Sequence, residues 1–506
     1  MQLWDKILQS AILGSERTHF EPVVEDALRR YGIDPEDPLP QVILSGAATL
    51  HQLRKLQLEL RPLEQPLPEP ASEEEDAQLL PLSSLTQLQR ILNGPYRRAL
   101  PEFVYLMTSR HWVLPPEFLP QLLDDSLNDP DLWQSIRPIL GERAVWLISQ
   151  RPEWRPLLPQ CDPADWPAAG FETRKLIIAQ LRRGQIDAAV PLLESIWDDL
   201  PYRQKLDYLQ LLETGLNLTD ETFLEKCRRD SRKEVRQKAI DLLLSLPGSQ
   251  LLRTLFDHLA PLFDVPVKSG IREVKLPEEI PEAALMEGLI STKKDKSKGL
   301  KLDWLIESVA RIPAAYWQER FKWSPNVLVN ALRMSSFPNE LIGALGQASL
   351  RFRDVDLSVQ LMRMLVLNDI PFPESLDWQA VVRQLPAADI QDISDTYLQQ
   401  QPGLLGEQAP VTKVLELGLY PWSKFTAQRI IHDLKQWMAE SKTFLWNLWH
   451  YKRLLETAGY CSPVELFDTF NADWPVHSPV WNQWAPDIDR MLRIMRFRMK
   501  MYSPKK

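Results

Sequence analysis

Apolar residues recur every three or four positions along most of the chain, which is the period of an amphipathic helix. The first helix predicted in this way places on one face Leu3, Trp4, Ile7, Leu8, Ala11 and Ile12. Gly14 follows at the position where a glycine commonly ends a helix. The alternating pattern of a strand is absent from residues 171–262. The chain is therefore predicted to be all-α.

The pattern is most regular in the middle of the chain. Six short amphipathic helices are predicted there, at 172–183, 186–198, 202–213, 220–228, 231–246 and 249–262. Few residues separate them, and these often include Pro, Gly or Asn, which end helices. A second, less regular array is predicted at 302–320, 326–334, 338–352 and 355–367. Successive short helices with short connections predict an α-solenoid of stacked helix pairs.

Changes in composition divide the chain into six parts. Within residues 61–82, four prolines precede the acidic run 73–76, which is typical of an extended linker. Residues 264–301 place Val and Ile around a Lys-Ser-Gly turn and later five lysines between 293 and 301, which predicts a small β-hairpin or irregular insertion with a solvated loop. The predicted division is 1–60 (helical), 61–82 (linker), 83–263 (repeats), 264–301 (insertion), 302–375 (second array) and 376–506 (Trp-rich helices).

Composition narrows the class of protein. The chain has 506 residues, 44% of them hydrophobic, so it can bury a substantial core. Its net charge of −9 argues against a dedicated polyanion binder. Three widely spaced cysteines fit a reducing compartment rather than a disulfide framework. The N-terminus lacks the pattern of a signal peptide, and no stretch is apolar enough to span a membrane, so we expect a cytoplasmic protein.

The stretch RDSRKEVRQKAIDLLLSL at 229–246 is basic at its start and apolar afterwards. Ser231 and Glu234 have the spacing of a capping box. One helix face then carries Val235, Ala239, Leu242, Leu243 and Leu246. The candidate partner-binding residues are Arg228, Arg229, Arg232, Lys233 and Arg236. Ladder pairing between repeats together with a solvated face is the favoured interpretation of these charges.

The last predicted helix has an apolar face and a basic face. Its apolar face comprises Ile488, Met491, Met495 and Met499, and its basic face comprises Arg493, Arg496 and Lys500. A basic amphipathic helix can lie on a membrane or bind an acidic partner. Docking of this helix on the rest of the chain is favoured, because the methionine stripe is what a terminal helix would bury.

Motifs of catalysis are absent from the sequence. We find no GxxxxGK[ST] or GxGxxG phosphate loop, no HExxH or CxxC metal motif, and no GxSxG nucleophile. The seven histidines are scattered and show no metal-ligand spacing. We therefore expect no catalytic residues, no metal and no cofactor, and a protein that is not an enzyme.

The order Asp230, Val235-Arg236, Ala239, Leu242 and Leu246 resembles the second helix of a HEAT repeat. The chain also resembles a bacterial family of unknown function built on HEAT-like helices. The resemblance rests on LWDKILQSAILGSERT (3–18), LGERAVWLISQRPEW (140–154), RRDSRKEVRQKAIDLLLSLPGS (228–249), KLPEEIPEAALMEGL (275–289) and GLKLDWLIESVARIPAAYW (299–317). Members are often encoded beside MoxR-type AAA+ ATPases and von Willebrand factor A-domain proteins. The resemblance implies an adaptor or scaffold in an ATPase-driven chaperone module.

The leading hypothesis is a non-enzymatic scaffold whose partner is an AAA+ ATPase or an A-domain protein. An alternative is nucleic-acid binding of the kind seen in HEAT-like DNA glycosylases, with the basic clusters at 228–238, 293–301 and 490–506 forming one face. The overall acidity counts against this alternative. A third hypothesis, a lyase built on HEAT repeats, has no motif in its favour.

Overall fold

A computed structural model describes residues 2–14, 20–56, 69, 71, 80–158, 162–264, 273–277, 299–441 and 448–502. The predicted linker at 61–82 and the lysine-rich loop near 293–298 lie largely or wholly outside the described residues. The chain forms two compact units, Met1–Pro70 and Ala71–Lys506. Both units are helical.

The first unit contains three helices. They are α1 (Gln2–Leu13), α2 (Pro22–Arg30) and α3 (Leu39–Leu56). Ile7, Val24, Leu28 and Val42 are among the residues of its small core. Gly46 allows α1 and α3 to approach closely, because a Cβ there would lie 2.7 Å from Ile7. The periodicity that predicted α1 is thus matched by a helix with Ile7 buried, whereas Leu8 and Ile12 of the predicted apolar face are exposed.

The second unit begins with short helices separated by prolines and 3₁₀ turns. They are α4 (Leu82–Asn93), α5 (Leu100–Ser109), α6 (Leu119–Ser126), α7 (Pro130–Ile136) and α8 (Gly141–Gln150). Proline occupies one of the first two positions of α5, α6 and α7, where its missing N–H costs no helical hydrogen bond. These helices share a core cluster that extends from Leu80 to Leu157.

The most regular predicted region is helical, as expected. Its helices are α9 (Phe171–Gly184), α10 (Ala189–Glu194), α11 (Tyr202–Leu211), α12 (Glu221–Cys227), α13 (Lys233–Leu243) and α14 (Gln250–Leu259). The predicted helix 186–198 is in fact a short α10 flanked by two 3₁₀ turns. Pro191 within this segment is consistent with the interruption, because proline lacks the N–H that a continuous helix needs.

A two-residue antiparallel pair of strands follows α14. Strand β1 (Phe263–Asp264) pairs with β2 (Glu273–Val274), and Phe263 is opposite Val274. Both of these apolar residues are buried in the main core. The pair begins at Phe263, one residue before the segment 264–301 in which the sequence predicts a hairpin or irregular insertion.

Twelve further helices are described in the remainder of the second unit. They are α15 (Leu300–Val309), α16 (Ala314–Phe321), α17 (Pro325–Arg333), α18 (Pro338–Arg351), α19 (Val355–Leu367), α20 (Trp378–Arg383), α21 (Ala387–Gln400), α22 (Pro410–Leu417), α23 (Lys424–Glu440), α24 (Trp449–Cys461), α25 (Phe467–Asn471) and α26 (Trp481–Tyr502). The single predicted helix 302–320 is two helices, because Pro313 precedes the start of α16.

Helices in the second unit pack repeatedly on the helix next but one in sequence. This pattern relates α9 to α11, α11 to α13, α17 to α19, α19 to α21, α21 to α23, α22 to α24 and α24 to α26. Residues from Trp166 to Met495 form one continuous hydrophobic cluster. Most helices therefore bury their apolar faces against near neighbours in the chain.

The terminal helix α26 contributes to both core clusters of this unit. Met491 and Met495 belong to the main cluster, whereas Phe497 and Met501 belong to the cluster formed by α4–α8. The expectation that Met499 lies on the buried face is wrong, since this side chain is 38% exposed. Helix α26 therefore packs against the first helices of the second unit, α4–α8.

Two of the three cysteines are free thiols in the core, Cys227 and Cys461, and Cys161 lies outside the described residues. Burial raises the pKa of Cys227 to about 12 and that of Cys461 to about 11. A thiol in an unfolded chain ionises near pH 8.5. The stability that the neutral thiols contribute is thus present below about pH 8.5 and is lost as the pH rises towards their folded values.

These thiols should not react with a thiol reagent in the native protein. In a Cys161→Ser variant, Ellman's reagent at pH 8 should label neither cysteine until denaturant is added, because the thiolate is the reactive species. The absorbance of the released thionitrobenzoate measures the labelling. Rapid labelling of two thiols per chain without denaturant would contradict the burial of Cys227 and Cys461.

Candidate partner-binding edge

The basic candidates surround the turn that joins α12 to α13. The predicted capping box of Ser231 and Glu234 is wrong: α13 begins at Lys233, and its N-cap Arg232 makes no side-chain capping bond. Instead, Asp230 Oδ1 accepts the Arg232 backbone N–H at 2.9 Å. The turn is therefore ordered by an aspartate two residues ahead of the N-cap, which is an Asx turn.

Arg236 has a structural role in this turn. Its Nη1 donates to the backbone carbonyls of Asp230 and Ser231, at 2.8 and 2.9 Å. These carbonyls belong to the same turn, so Arg236 stabilises its own turn rather than bridging to another helix. A guanidinium held in this way is not free for a partner.

Asp230 links the turn to α11. Lys205 Nζ on α11 lies 2.9 Å from Asp230 Oδ2, and both side chains are largely buried. Burial acts to raise the pKa of Asp230, but the hydrogen bonds from the Arg232 N–H and from Lys205 outweigh it and lower the pKa. Asp230 therefore remains ionised at neutral pH. The Lys205–Asp230 ion pair thus connects the turn to α11, whereas Arg236, expected to pair between repeats, makes its hydrogen bonds within its own turn.

The other four candidates differ in the contacts that their side chains make with the rest of the chain. Arg228 Nε lies 3.3 Å from Glu225 Oε2. Arg232 is stacked on the ring of Tyr202, with 5.5 Å between its Cζ and the ring centroid. Arg229 and Lys233 are exposed, and their side chains make no hydrogen bond or ion pair with the residues that the structure describes.

Two arginine side chains lie over the ring of Tyr202. Arg203 also stacks on its ring, 5.9 Å from the centroid, and the ring itself is 38% exposed. We use the name basic edge for Tyr202, Arg203, Arg229, Arg232 and Lys233. An exposed aromatic ring beside unneutralised cations is a surface suited to carboxylate and apolar groups of a partner.

An open groove of about 990 Å³ adjoins the basic edge. Arg228 and Arg229 lie in its wall, and Trp197 is one of the apolar residues in its lining. Part of its charge is neutralised internally, because Lys226 Nζ lies 3.2 Å from Asp198 Oδ1. The groove is thus of mixed charge, and Arg229 is its cation without a side-chain partner among the described residues.

Sequence reasoning missed the most buried charged pair near this region. Arg182 on α9 and Asp220 form a bidentate ion pair, at 2.8 and 2.7 Å, with both side chains fully buried. Arg182 also donates to the backbone carbonyls of Leu212, Thr214 and Gly215. The Asn217-Leu-Thr-Asp220 spacing, which forms a capping box in the structure, was the available signal.

No group of three or more His, Cys, Asp and Glu side chains within the described ranges could hold a metal ion. Among the helices that the structure describes, none combines the length and apolar character that crossing a membrane requires.

Comparison with known proteins gives one match. Residues 6–504 match the model of a family described as "Family of unknown function (DUF5691)". No curated protein and no solved structure matches the chain. Because the match spans nearly the whole sequence, the chain belongs to this family of unknown function, DUF5691.

Proposed function

We propose that this protein is a non-enzymatic helical-repeat scaffold that binds another protein through the basic edge. The observation that carries the proposal is the stacking of Arg232 on the exposed ring of Tyr202, in the same turn as the exposed Arg229 and Lys233, whose side chains have no partner among the described residues. Arg236 and Asp230, in contrast, make contacts within the fold. Asp230 and Arg236 hold the backbone of the turn, so the exposed cations on it have fixed positions. Preorganised groups lose less entropy when a partner binds.

The architecture supports this reading. Helices that pack on the helix next but one, over a continuous core, are what an α-solenoid of HEAT-like pairs would produce. In such a stack each repeat needs only its neighbours for stability, so surface positions are free to serve binding. The small Ala239 is fully buried on α13, where a close helix approach would be needed.

The chemistry of the basic edge favours an acidic partner surface. Arginine binds carboxylates through two parallel hydrogen bonds, and stacking on Tyr202 holds the Arg232 guanidinium in place. The family resemblance adds a candidate, namely a MoxR-type AAA+ ATPase or a von Willebrand factor A-domain protein. The protein would then act as an adaptor in an ATPase-driven chaperone module.

Affinity purification of the tagged protein from its native host tests the adaptor proposal. We expect an AAA+ ATPase or an A-domain protein to be recovered, and recovery to fall as salt is raised, because exposed charges are screened. Quantitative mass spectrometry against an untagged control measures it. Absence of both classes of protein from the enriched fraction would contradict the adaptor proposal.

A DNA-binding assay separates this proposal from its alternative. Fluorescence anisotropy with a labelled duplex at about 50 mM salt should show no saturable binding, since the net charge of −9 opposes association with a polyanion. Tight binding that weakens steeply with salt would favour a nucleic-acid function instead.

A further inference from the structure

A second cleft, of about 700 Å³, lies elsewhere in the second unit. It is formed by the loop after α19, by α21, by the loop before α22, by the end of α23 and by the residues around the start of α24. Its polar and aromatic lining includes Asp369, Tyr397, Glu407, Trp437 and His450. No part of the basic edge contributes to it.

His450 brings an unused acceptor to the wall of this cleft. The side chain is 1% exposed, and its Nε2 lies 2.9 Å from the carbonyl oxygen of Leu405. A carbonyl oxygen can only accept, so Nε2 must carry the hydrogen. The lone pair of the neutral ring is then on Nδ1, which has no hydrogen-bond partner among the described residues. Buried acceptors of this kind are rare, and a ligand that brings a donor would satisfy this one.

The wall around His450 is held rigidly. Leu405 donates its backbone N–H to Tyr451 Oη at 2.8 Å, while its carbonyl accepts from His450. Both backbone groups of Leu405 are therefore fixed by two successive residues of α24. The His450 ring is therefore held in place by its hydrogen bond to a fixed backbone segment.

The charge of the lining favours a cation. Asp369 and Glu407 are exposed carboxylates, and no lysine or arginine is among the described residues that line the cleft. Tyr397 Oη donates to Asp369 Oδ1 at 3.2 Å, which orients that carboxylate. Burial, together with the charge of Asp369, raises the pKa of Tyr397 to about 12, so its hydroxyl stays a neutral donor at physiological pH. Trp437 supplies an aromatic ring, and such rings attract organic cations.

We propose that this cleft binds a primary alkylammonium group. Asp369 and Glu407 neutralise its charge, His450 Nδ1 accepts one of its N–H groups, and Tyr397 and Trp437 contact its alkyl chain. The same chemistry is found in a free polyamine and in a lysine side chain of a partner protein. The proposal goes beyond the scaffold function and does not depend on it.

Isothermal titration calorimetry with n-butylammonium as the probe tests the site, with n-butanol as its neutral match. We expect saturable binding of the ammonium and none of the alcohol. The Asp369→Asn/Glu407→Gln variant should bind at least about tenfold more weakly, because the charged partners of the cation are removed. Glu374→Gln is the matched control, since this exposed carboxylate lies in the same loop as Asp369 but outside the lining.

Three outcomes would overturn the proposal: no saturable binding of n-butylammonium, equal binding of n-butanol, or equal loss in the Glu374→Gln control. Titrations with spermidine and with an acetylated Gly-Lys-Gly amide peptide distinguish the two sources of the ammonium group by which binds more tightly. Normal partner recovery in the affinity purification alongside a failed titration would sink this proposal alone.

The ring nitrogens of His450 give a second readout that a purely structural histidine would not provide. In protein labelled with ¹⁵N-histidine, n-butylammonium should shift the Nδ1 resonance of His450 and leave its hydrogen-bonded Nε2 nearly unchanged. A His450→Gln variant assigns the resonance. An Nδ1 shift that stays constant through saturation would contradict the proposed role of this atom.

Discussion

Replacing Arg182 with alanine should lower the free energy of unfolding by about 3–5 kcal/mol, the range for breaking a buried ion pair from one side. The substitution leaves Asp220 as an uncompensated charge with its side chain fully buried. It also removes the donor for the backbone carbonyls of Leu212, Thr214 and Gly215. The effect is large because the cost of burying the Asp220 charge is no longer compensated, and not only because an attraction is lost.

Urea unfolding followed by circular dichroism measures this change. Arg183→Ala is the matched control, because Arg183 is exposed and its side chain makes no hydrogen bond or ion pair with the described residues. Surface changes of this kind usually stay within about 0.5 kcal/mol. Similar losses of unfolding free energy in the two variants would show that the buried Arg182–Asp220 ion pair does not stabilise the fold as expected.

The second large effect is expected at the C-terminal helix. Arg498 forms a bidentate pair with Glu102, at 2.6 and 2.8 Å, and donates to the carbonyls of Gly459 and Ser462. Tyr502 Oη donates to the same glutamate at 2.7 Å. Arg498→Ala should therefore destabilise the protein by about 2–4 kcal/mol, since Glu102 is only partly exposed and Arg498 is nearly fully buried.

Arg493→Ala provides the comparison for Arg498→Ala. Arg493 is on the same helix and pairs with Asp489 at 3.3 Å, but both side chains are about 60% exposed, so solvent screens the pair. A double-mutant cycle with Glu102→Gln isolates the Arg498–Glu102 coupling. A coupling near zero would mean that α26 is held by its apolar contacts alone.

Local sequence patterns predicted the helices well where the spacing of apolar residues and the helix-ending residues indicated the same boundaries. The buried face of α13 is as predicted, with Val235 and Ala239 fully buried, because the apolar spacing and the following Pro-Gly both pointed to one helix. The start of α13 was mispredicted because the side chain that accepts a backbone N–H here is Asp230, in an Asx turn, and not Ser231 as a helix cap. Both side chains can do so, and only the geometry of the turn decides between them.

Long-range pairing could not be read from the sequence. Arg498 and Glu102 are far apart in the chain, and no local pattern links them, so Arg498 looked like one more residue of a basic helix end. The helical period did place Met499 on the apolar face, but in the structure Met499 is 38% exposed, whereas Arg498 is nearly fully buried in its pair with Glu102. Contacts between distant elements depend on the fold as a whole.

The sequence predicted five partner-binding residues, and the structure divides that set. Arg236 and Arg228 make contacts within the chain, while Arg229 and Lys233 have none among the described side chains. The sequence could not reveal Tyr202 as part of the edge, because it lies on a different helix and meets Arg232 only after α11 and α13 pack.

Charge reversal at the basic edge tests the central proposal most directly. The Arg229→Glu/Arg232→Glu/Lys233→Glu variant should keep its helical fold, because all three side chains are exposed and an acidic residue at the start of α13 suits the helix dipole. The control reverses Arg90, Arg143 and Arg183, which are exposed on α4, α8 and α9 and give the same net charge.

The measurement is the dissociation constant for the recovered ATPase or A-domain protein, by surface plasmon resonance. The account predicts at least about tenfold weaker binding for the edge variant and wild-type binding for the control, since complementary charge acts where it is in contact. Unchanged affinity in the edge variant, or an equal loss in the control, would contradict the claim that this surface binds the partner.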